Sequence, residues 1–259
     1  MSARVVALTI APVKGLRALE REEVELTLAG VRENRRFLLV DADSRMVNAK
    51  RLGALQTVVP DYDDARRTLS LRFADGSVVA GPIEIGKRIA ARFFDATIAT
   101  QEVLGPFSQA LSERLGTPLR LVENAAEWGA IDRGRDATVT LISSASVERV
   151  GVAAATTGPV DARRFRMLIE VGGVAAHAED AWVGRPLAVG GAVVVARGHV
   201  GRCVVTKRDP DSGEADLDTL RALASYRAGS DTTEPLSCGV YGTVLQPGTV
   251  RLGDAVEPA

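Results

Sequence analysis

The chain has 259 residues, 46% hydrophobic, 25% charged and 4% aromatic, with 32 Lys and Arg against 33 Asp and Glu for a formal net charge of −1. At roughly 150 residues per domain this predicts one or two domains with an ordinary hydrophobic core. The balanced charge argues against disorder and against a protein that grips nucleic acid through its phosphates.

The first residues run straight into a strand pattern with no signal-peptide core. No apolar run approaches the ~20 residues of a membrane span, so a cytoplasmic protein that meets neither membrane nor nucleic acid is expected. Strand patterns cover 4–10, 24–28 and 36–41, separated by the break Pro12-Val13-Lys14-Gly15 and closed by a turn at 41–45. Asp75-Gly76 between apolar runs at 69–73 and 78–79 predicts a hairpin. A helix is predicted at 106–115, with Gly116 as its C-terminal stop. The polar stretch 122–137 reads as a loop within or between domains. A strand at 138–142 then runs into Ser143-Ser144-Ala145-Ser146, which opens a short helix. Strands are predicted at 166–171, 187–196 (with Gly190-Gly191 as a hairpin turn) and 202–206, a helix at 216–226, and one short strand between turns at 247–254. Many short strands with Gly-rich turns predict barrels, in a mainly β protein with some α, rather than a parallel sheet.

Two Cys and two His leave too few ligands for a four-thiolate zinc or iron–sulfur site and too few thiols for a disulfide framework. Cys203 sits in Gly201-Arg202-Cys203-Val204-Val205-Thr206, just before the polar turn Asp209-Pro210-Asp211-Ser212-Gly213. A lone cytosolic Cys is ordinarily a buried small hydrophobe; the alternative is a thiolate nucleophile or metal ligand. In a strand, Arg202 beside it points to the opposite face. Basic residues recur beside turns: Lys14, Arg35, Arg36, Lys50, Arg51, Arg164, Arg166 and Arg202. Most such side chains are solvated surface, yet Lys14 and Arg36 sit where they can leave a sheet and meet a phosphate, for which guanidinium is well shaped. The helix N-terminus at Ser143 and Ser144 offers a second anion site. His177 and His199 flank no nucleophile elbow. Glu179-Asp180 reads first as a solvated loop.

Several segments together resemble a known family. APVKG at 11–15, NRRFLLVD at 34–41, LISSAS at 141–146, DARRFRMLIEVGG at 161–173, AEDAW at 178–182, GRCVVTKRDPDSG at 201–213 and the closing YG and PGTVRLGD are similar to MOSC-domain proteins with the family's N-terminal β-barrel domain, among them the mitochondrial amidoxime-reducing component and its bacterial relatives. The resemblance implies a MOSC β-barrel core at 101–259 behind an N-terminal β-barrel-like domain at 1–100. It also implies a molybdenum cofactor, with Cys203 as metal ligand and catalytic residue. Lys14 falls on the motif's cofactor-contacting Lys, Arg36 on the first-domain Arg, Arg166 on the Arg of the Phe-Arg pair, and Ser143 to Ser146 on the strand-to-helix turn. The expected cofactor-binding set is therefore Lys14, Gly15, Arg36, Lys50, Ser143, Ser144, Ser146, Arg166, Gly201, Arg202 and Cys203. Three positions depart from the family pattern: Met167-Leu168 stands for the usual Pro-Asn, Gly15 for Ser, and Cys238 for an aromatic residue before Gly239.

The function so implied is reduction of N-oxygenated small molecules, with electrons from a separate reductase because the chain lacks a four-Cys ferredoxin extension. Two alternatives stay open. One is a carrier of persulfide sulfur or of the cofactor on Cys203. The other, motivated by Met167-Leu168, is a cofactor-free binding protein or recruited biosynthetic enzyme.

Overall fold

The computed structural model describes residues 2–125 and 136–259, so most of the expected loop at 122–137 lies outside the described residues. No helix among them is long and apolar enough to cross a membrane. Strands dominate, in sheets of eight, five, three and two.

The eight-stranded sheet is built from both ends of the chain. Its order is β18 (Val256–Pro258), β14 (Pro186–Val189), β15 (Ala192–Gly201), β16 (Ser237–Gln246), β12 (Val139–Ser143), β13 (Ile169–Gly172), β1 (Arg4–Ile10) and β2 (Leu19–Arg21). All neighbours are antiparallel except β12 and β13. The ladder is not closed, but its two ends meet. Arg4 bridges Ala255, and the N–H groups of Val5 and Val256 reach the carbonyls of Asp254 and Ala3 at 2.8 and 3.0 Å. Leu8, Leu141, Ile169, Val194 and Val240 fill one face. Ile142, Val147, Phe165 and Leu223 fill the other, beneath α2 (Ser144–Ala153) and α3 (Thr219–Arg227). Alternate residues of one strand thus enter different cores, as the two-residue pleat requires.

The same rule explains the apolar run after Arg36. β4 (Phe37–Val40) sits inside a five-stranded sheet with β5 (Met46–Val47), β11 (Arg120–Asn124), β10 (Ala96–Val103) and β9 (Ile85–Phe93). Phe37 and Leu39 enter one core with Leu71, Phe107 and Leu121. Leu38 and Val40 enter a second with Ile89, Phe93 and Val122. Burying all four side chains stabilises this strand by roughly 6–12 kcal/mol at 1.5–3 kcal/mol each.

β6 (Val59–Asp63), β7 (Thr68–Arg72) and β8 (Val78–Pro82) form the three-stranded sheet. Its hairpin turns at Asp75-Gly76 as predicted: Asp75 Oδ1 accepts from the Ser77 N–H at 3.0 Å, and Gly76 takes φ 82°. β3 (Glu23–Leu26) pairs with β17 (Gly248–Arg251). α1 spans Phe107–Leu115 and ends at Gly116 with φ 66°. Gly190-Gly191 makes the turn between β14 and β15.

Two predicted strands are shorter or absent. Residues 166–171 become strand only from Ile169, because Arg166 adopts a left-handed conformation (φ 55°) that ends a short 3-10 turn at Ala162–Phe165. Residues 202–206 are not a strand. β15 stops at Gly201, and Val204–Lys207 coil into a 3-10 turn, with the Thr206 N–H and hydroxyl both donating to the Cys203 carbonyl at 3.0 and 2.9 Å.

Candidate functional site

That turn brings Cys203 to the wall of a cavity of about 340 Å³, formed where loops of the five-stranded and eight-stranded sheets meet. Because the chain leaves the strand here, Arg202 and Cys203 line the same cavity, and the expectation that they point to opposite faces is overturned. The thiol is half-buried.

Lys14 reaches the site from the break after β1. Val13 and Leu16 are fully buried and the Lys14 N–H bonds the Phe37 carbonyl at 2.8 Å, which leaves the Lys14 side chain on the cavity side. Its ammonium lies 5.3 Å from the Phe93 ring centroid. Gly15 takes φ 94°, a left-handed backbone that favours glycine. Asn48 holds the next turn by accepting the Lys50 N–H at 3.0 Å, and the Lys50 ammonium lies 5.0 Å from the Phe94 ring.

From the opposite wall come Arg164, Arg166, Gly201 and Arg202. Arg164 is only 4% exposed; its guanidinium donates to both Asp216 carboxylate oxygens (3.1 and 3.2 Å) and to the Thr206 and Arg208 carbonyls. Arg202 donates to the carbonyls of Phe165 (2.9 Å) and Cys238 (2.8 Å) and to the Met167 sulfur (3.0 Å). Burial of this guanidinium pushes its pKa down to about 10, against the raising influence of the two thiols. It remains charged at neutral pH.

The electrostatic character follows from the count. Lys14, Arg35, Lys50, Arg164, Arg166 and Arg202 are six cationic groups on one wall set, and no Asp, Glu or His joins them among the described residues. Asp216 behind the wall offsets Arg164, and the remaining like charges gathered in a part-dry cleft favour an anion.

Four expected site residues lie elsewhere. Arg36 is turned away: its Nε donates to Glu123 at 2.6 Å, and Glu123 also takes both terminal nitrogens of Arg67 at 2.8 and 3.0 Å. Its neighbour Arg35 lines the cavity instead. A φ of 55° swings Arg35 across, and its Nη2 donates to the Arg166 carbonyl at 2.9 Å. Ser143 does cap α2, its Oγ accepting the Ser146 N–H at 3.0 Å. That helix end is filled from within, however, since Glu179 accepts from the Ser146 hydroxyl at 2.6 Å and the Ser143 N–H at 3.2 Å. Ser144 bonds Glu170. None of the three serines lines the cavity.

The Glu179-Asp180 pair is therefore not a solvated loop. Glu179 is wholly buried, and burial pushes its carboxyl up from the ordinary range. Asp180 pairs with Arg227 at 2.8 Å and faces His199 at 3.6 Å. His177, bonded to the Tyr226 hydroxyl at 3.2 Å, is pushed down to about 4 by burial and by Arg227, so it stays neutral. A carboxyl with a raised pKa stabilises the fold fully below its unfolded value near 4.5, and that contribution is lost as pH rises through the folded value. Glu179→Gln, which keeps an acceptor and removes the charge, is expected to melt at or above wild type at pH 7. Glu179→Ala, which strands the Ser146 hydroxyl and Ser143 N–H, is expected to lose about 2–4 kcal/mol in chemical denaturation.

Sequence patterning also gave no warning of Phe94, Asn48 or Thr140 on the cavity wall. Asn48 carried the only legible signal, an Asn at a turn. Met167, 6% exposed, lines the cavity with an apolar side chain, and Leu168, 2% exposed, lies in the core of the eight-stranded sheet, so neither presents a polar group to the cavity. The Asp209–Gly213 turn lies outside the cavity. Asp209 Oδ1 accepts from the N–H groups of Asp211 and Ser212 at 3.0 and 2.7 Å, and Asp211 clasps Arg163 (2.8 Å) and Arg17 (3.0 Å). It ties the segment after Cys203 to the first part of the chain.

A family model described as MOSC N-terminal beta barrel domain matches residues 2–118, and one described as MOSC domain matches 129–257. No curated protein matches the chain. Among solved structures, the YUAD protein from Bacillus subtilis is 12% identical, with 99% of this chain and 95% of that one covered and a TM-score of 0.49. YiiM from Geobacillus stearothermophilus is 18% identical, with 49% and 56% covered and a TM-score of 0.37.

Proposed function

We propose, for a chain that belongs to the MOSC-domain family and carries the family's N-terminal β-barrel domain, that the Cys203 cavity holds a molybdenum cofactor and that the protein reduces N-oxygenated small molecules with electrons from a separate reductase. The observation that carries this reading is the donor set. Six cationic groups and one half-buried thiol share a cavity without a carboxylate among the described residues. A soft thiolate suits molybdenum, and ammonium and guanidinium groups suit a pterin phosphate. The residues present therefore fit the group.

Cys203 would be the protein's metal ligand. Lys14 and Lys50, on flexible stems, would meet the phosphate as point charges. Arg202 sits beside the thiol with its guanidinium fixed by two carbonyls and a thioether, so its charge is placed before any ligand arrives. Bound there, the cofactor would supply a two-electron couple for converting an N–OH group and two protons into N–H and water. No carboxyl or imidazole lines the cavity among the described residues.

Metal and pterin analysis of protein purified from a cofactor-making host tests the assignment. About one molybdenum per chain is expected, and its absence from such a preparation overturns the reading. The half-buried but accessible Cys203 also favours a second reading, a sulfur carrier, whose mark is a persulfide adduct of ~+32 Da on that residue in untreated protein.

A further inference from the structure

The cavity wall mixes its cations with apolar side chains that are buried or half-buried, Ala49, Ala137, Val200 and Val205 among them, and one apolar side chain stands out into water. Phe94 lines it and is 58% exposed, whereas Phe165 and Met167 on the same wall are buried. Phe94 is the first residue of the two-residue loop that joins β9 to β10, where Phe93 pairs with Ala96. Its φ is 53°. Hairpins put Gly, Asn or Asp at such positions, and a bulky aromatic there is a strained outlier. Strain of this kind concentrates where a side chain is held for a ligand.

The ring is also held. It meets Phe93 edge-to-face, with centroids 5.0 Å apart and planes at 78°, and Phe93 is itself packed in the core with Ile89, Ala91 and Val122. The Lys50 ammonium lies 5.0 Å from the Phe94 centroid. An apolar ring that is strained, braced from behind, crossed by a cation and still more than half in water is a poor way to stabilise a hairpin. It is a good platform for a flat apolar group.

We propose that Phe94 is a specificity-determining residue that stacks on a planar aromatic ring of the substrate while the substrate's polar N-oxygenated end lies among the cations beside Cys203. This rests on the reductase reading for the polar end alone. The preference for an aromatic ring comes from Phe94.

The test is equilibrium binding of N-hydroxybenzamidine and N-hydroxyacetamidine to the holoprotein by calorimetry, with turnover of both measured in parallel. Wild type is expected to favour the aryl probe by about three- to tenfold, the range of an aromatic pair. Phe94→Ala and Phe94→Gly are expected to lose that preference and keep wild-type affinity for the alkyl probe, while Phe94→Trp retains it. The Gly variant is expected to melt above the Ala variant, because it relieves the left-handed strain, so loss of selectivity in both separates the ring's role from folding. Equal binding of the two probes by wild type, binding of neither, or a preference that survives in both small variants overturns the proposal. An aryl preference with no turnover of either probe overturns the reductase reading and leaves the role of Phe94 standing.

Discussion

Cys203→Ser protein, made in a cofactor-producing host, is expected to contain no molybdenum and to reduce no N-hydroxylated substrate, while melting close to wild type. A serine hydroxyl stays protonated near neutral pH and offers a hard oxygen in place of a soft thiolate. The fold has little to lose from the change. Cys203 supports its turn through its backbone carbonyl, which accepts from the Thr206 N–H and hydroxyl, and the side chain makes no part of that arrangement. Cys238 supplies the control. It is wholly buried in the core beneath α2 and α3, and burial pushes its thiol up to about 12, so it stays a neutral packing group. Cys238→Ser is expected to keep the metal and to lower stability by placing a hydroxyl in an apolar site. Metal retained in Cys203→Ser, read by elemental analysis, would falsify the ligand role.

Glu123→Ala is expected to destabilise the protein by about 2–3 kcal/mol, somewhat below the 3–5 kcal/mol of breaking a fully buried ion pair, because both arginines keep some access to water. The carboxylate is 4% exposed and receives Arg36 through one nitrogen and Arg67 through two, joining β4, β11 and the turn before β7. Burial raises its pKa, but hydrogen bonds and charge from Arg67 and Arg36 outweigh this, so the carboxyl titrates below its ordinary value of 4.5. A depressed carboxyl stabilises the fold above the unfolded pKa and loses that contribution as pH falls through the folded pKa. The difference between wild type and Glu123→Gln in urea is therefore expected to be full at pH 6–7 and to shrink below about pH 4.5. A difference independent of pH removes the ion pair from the account. The same geometry explains why Arg36, a cofactor candidate by its position and by the family resemblance, sits outside the cavity: a buried carboxylate has already claimed it.

The elements that were legible in the amino-acid order are those whose geometry is local. Residues 36–41 read as a strand from their continuous apolar run, and the structure sends the alternate side chains of Phe37 to Val40 to two cores. Ser143 read as a helix cap because the bond it makes spans only three residues. Gly116, Asp75-Gly76 and Gly190-Gly191 marked turns by backbone needs confined to one or two positions. The segment 202–206 misled for the same reason. Cys203-Val204-Val205 is an apolar run of strand-forming type, and nothing local reveals that Arg202 folds inward onto carbonyls of residues 165 and 238.

Of the site, Lys14, Gly15, Lys50, Arg166, Gly201, Arg202 and Cys203 were named from the sequence and meet in one cavity. Arg35 and Arg164 were noted only as basic residues beside turns and Phe94 not at all, and the serines and Arg36 were turned elsewhere. What the sequence determined by itself was the class of the protein, mainly β, and the short list of groups with suitable chemistry. The class follows from periodicity, and the list from the scarcity of Cys together with the motifs that resemble the MOSC family. Which members of that list face one another was decided only by the tertiary structure. The deciding contacts join residues far apart in the chain, Arg35 to the Arg166 carbonyl across 131 positions and Ser146 to Glu179 across 33. A buried charge or hydroxyl takes whichever partner the fold delivers, and the sequence order alone does not contain that distance.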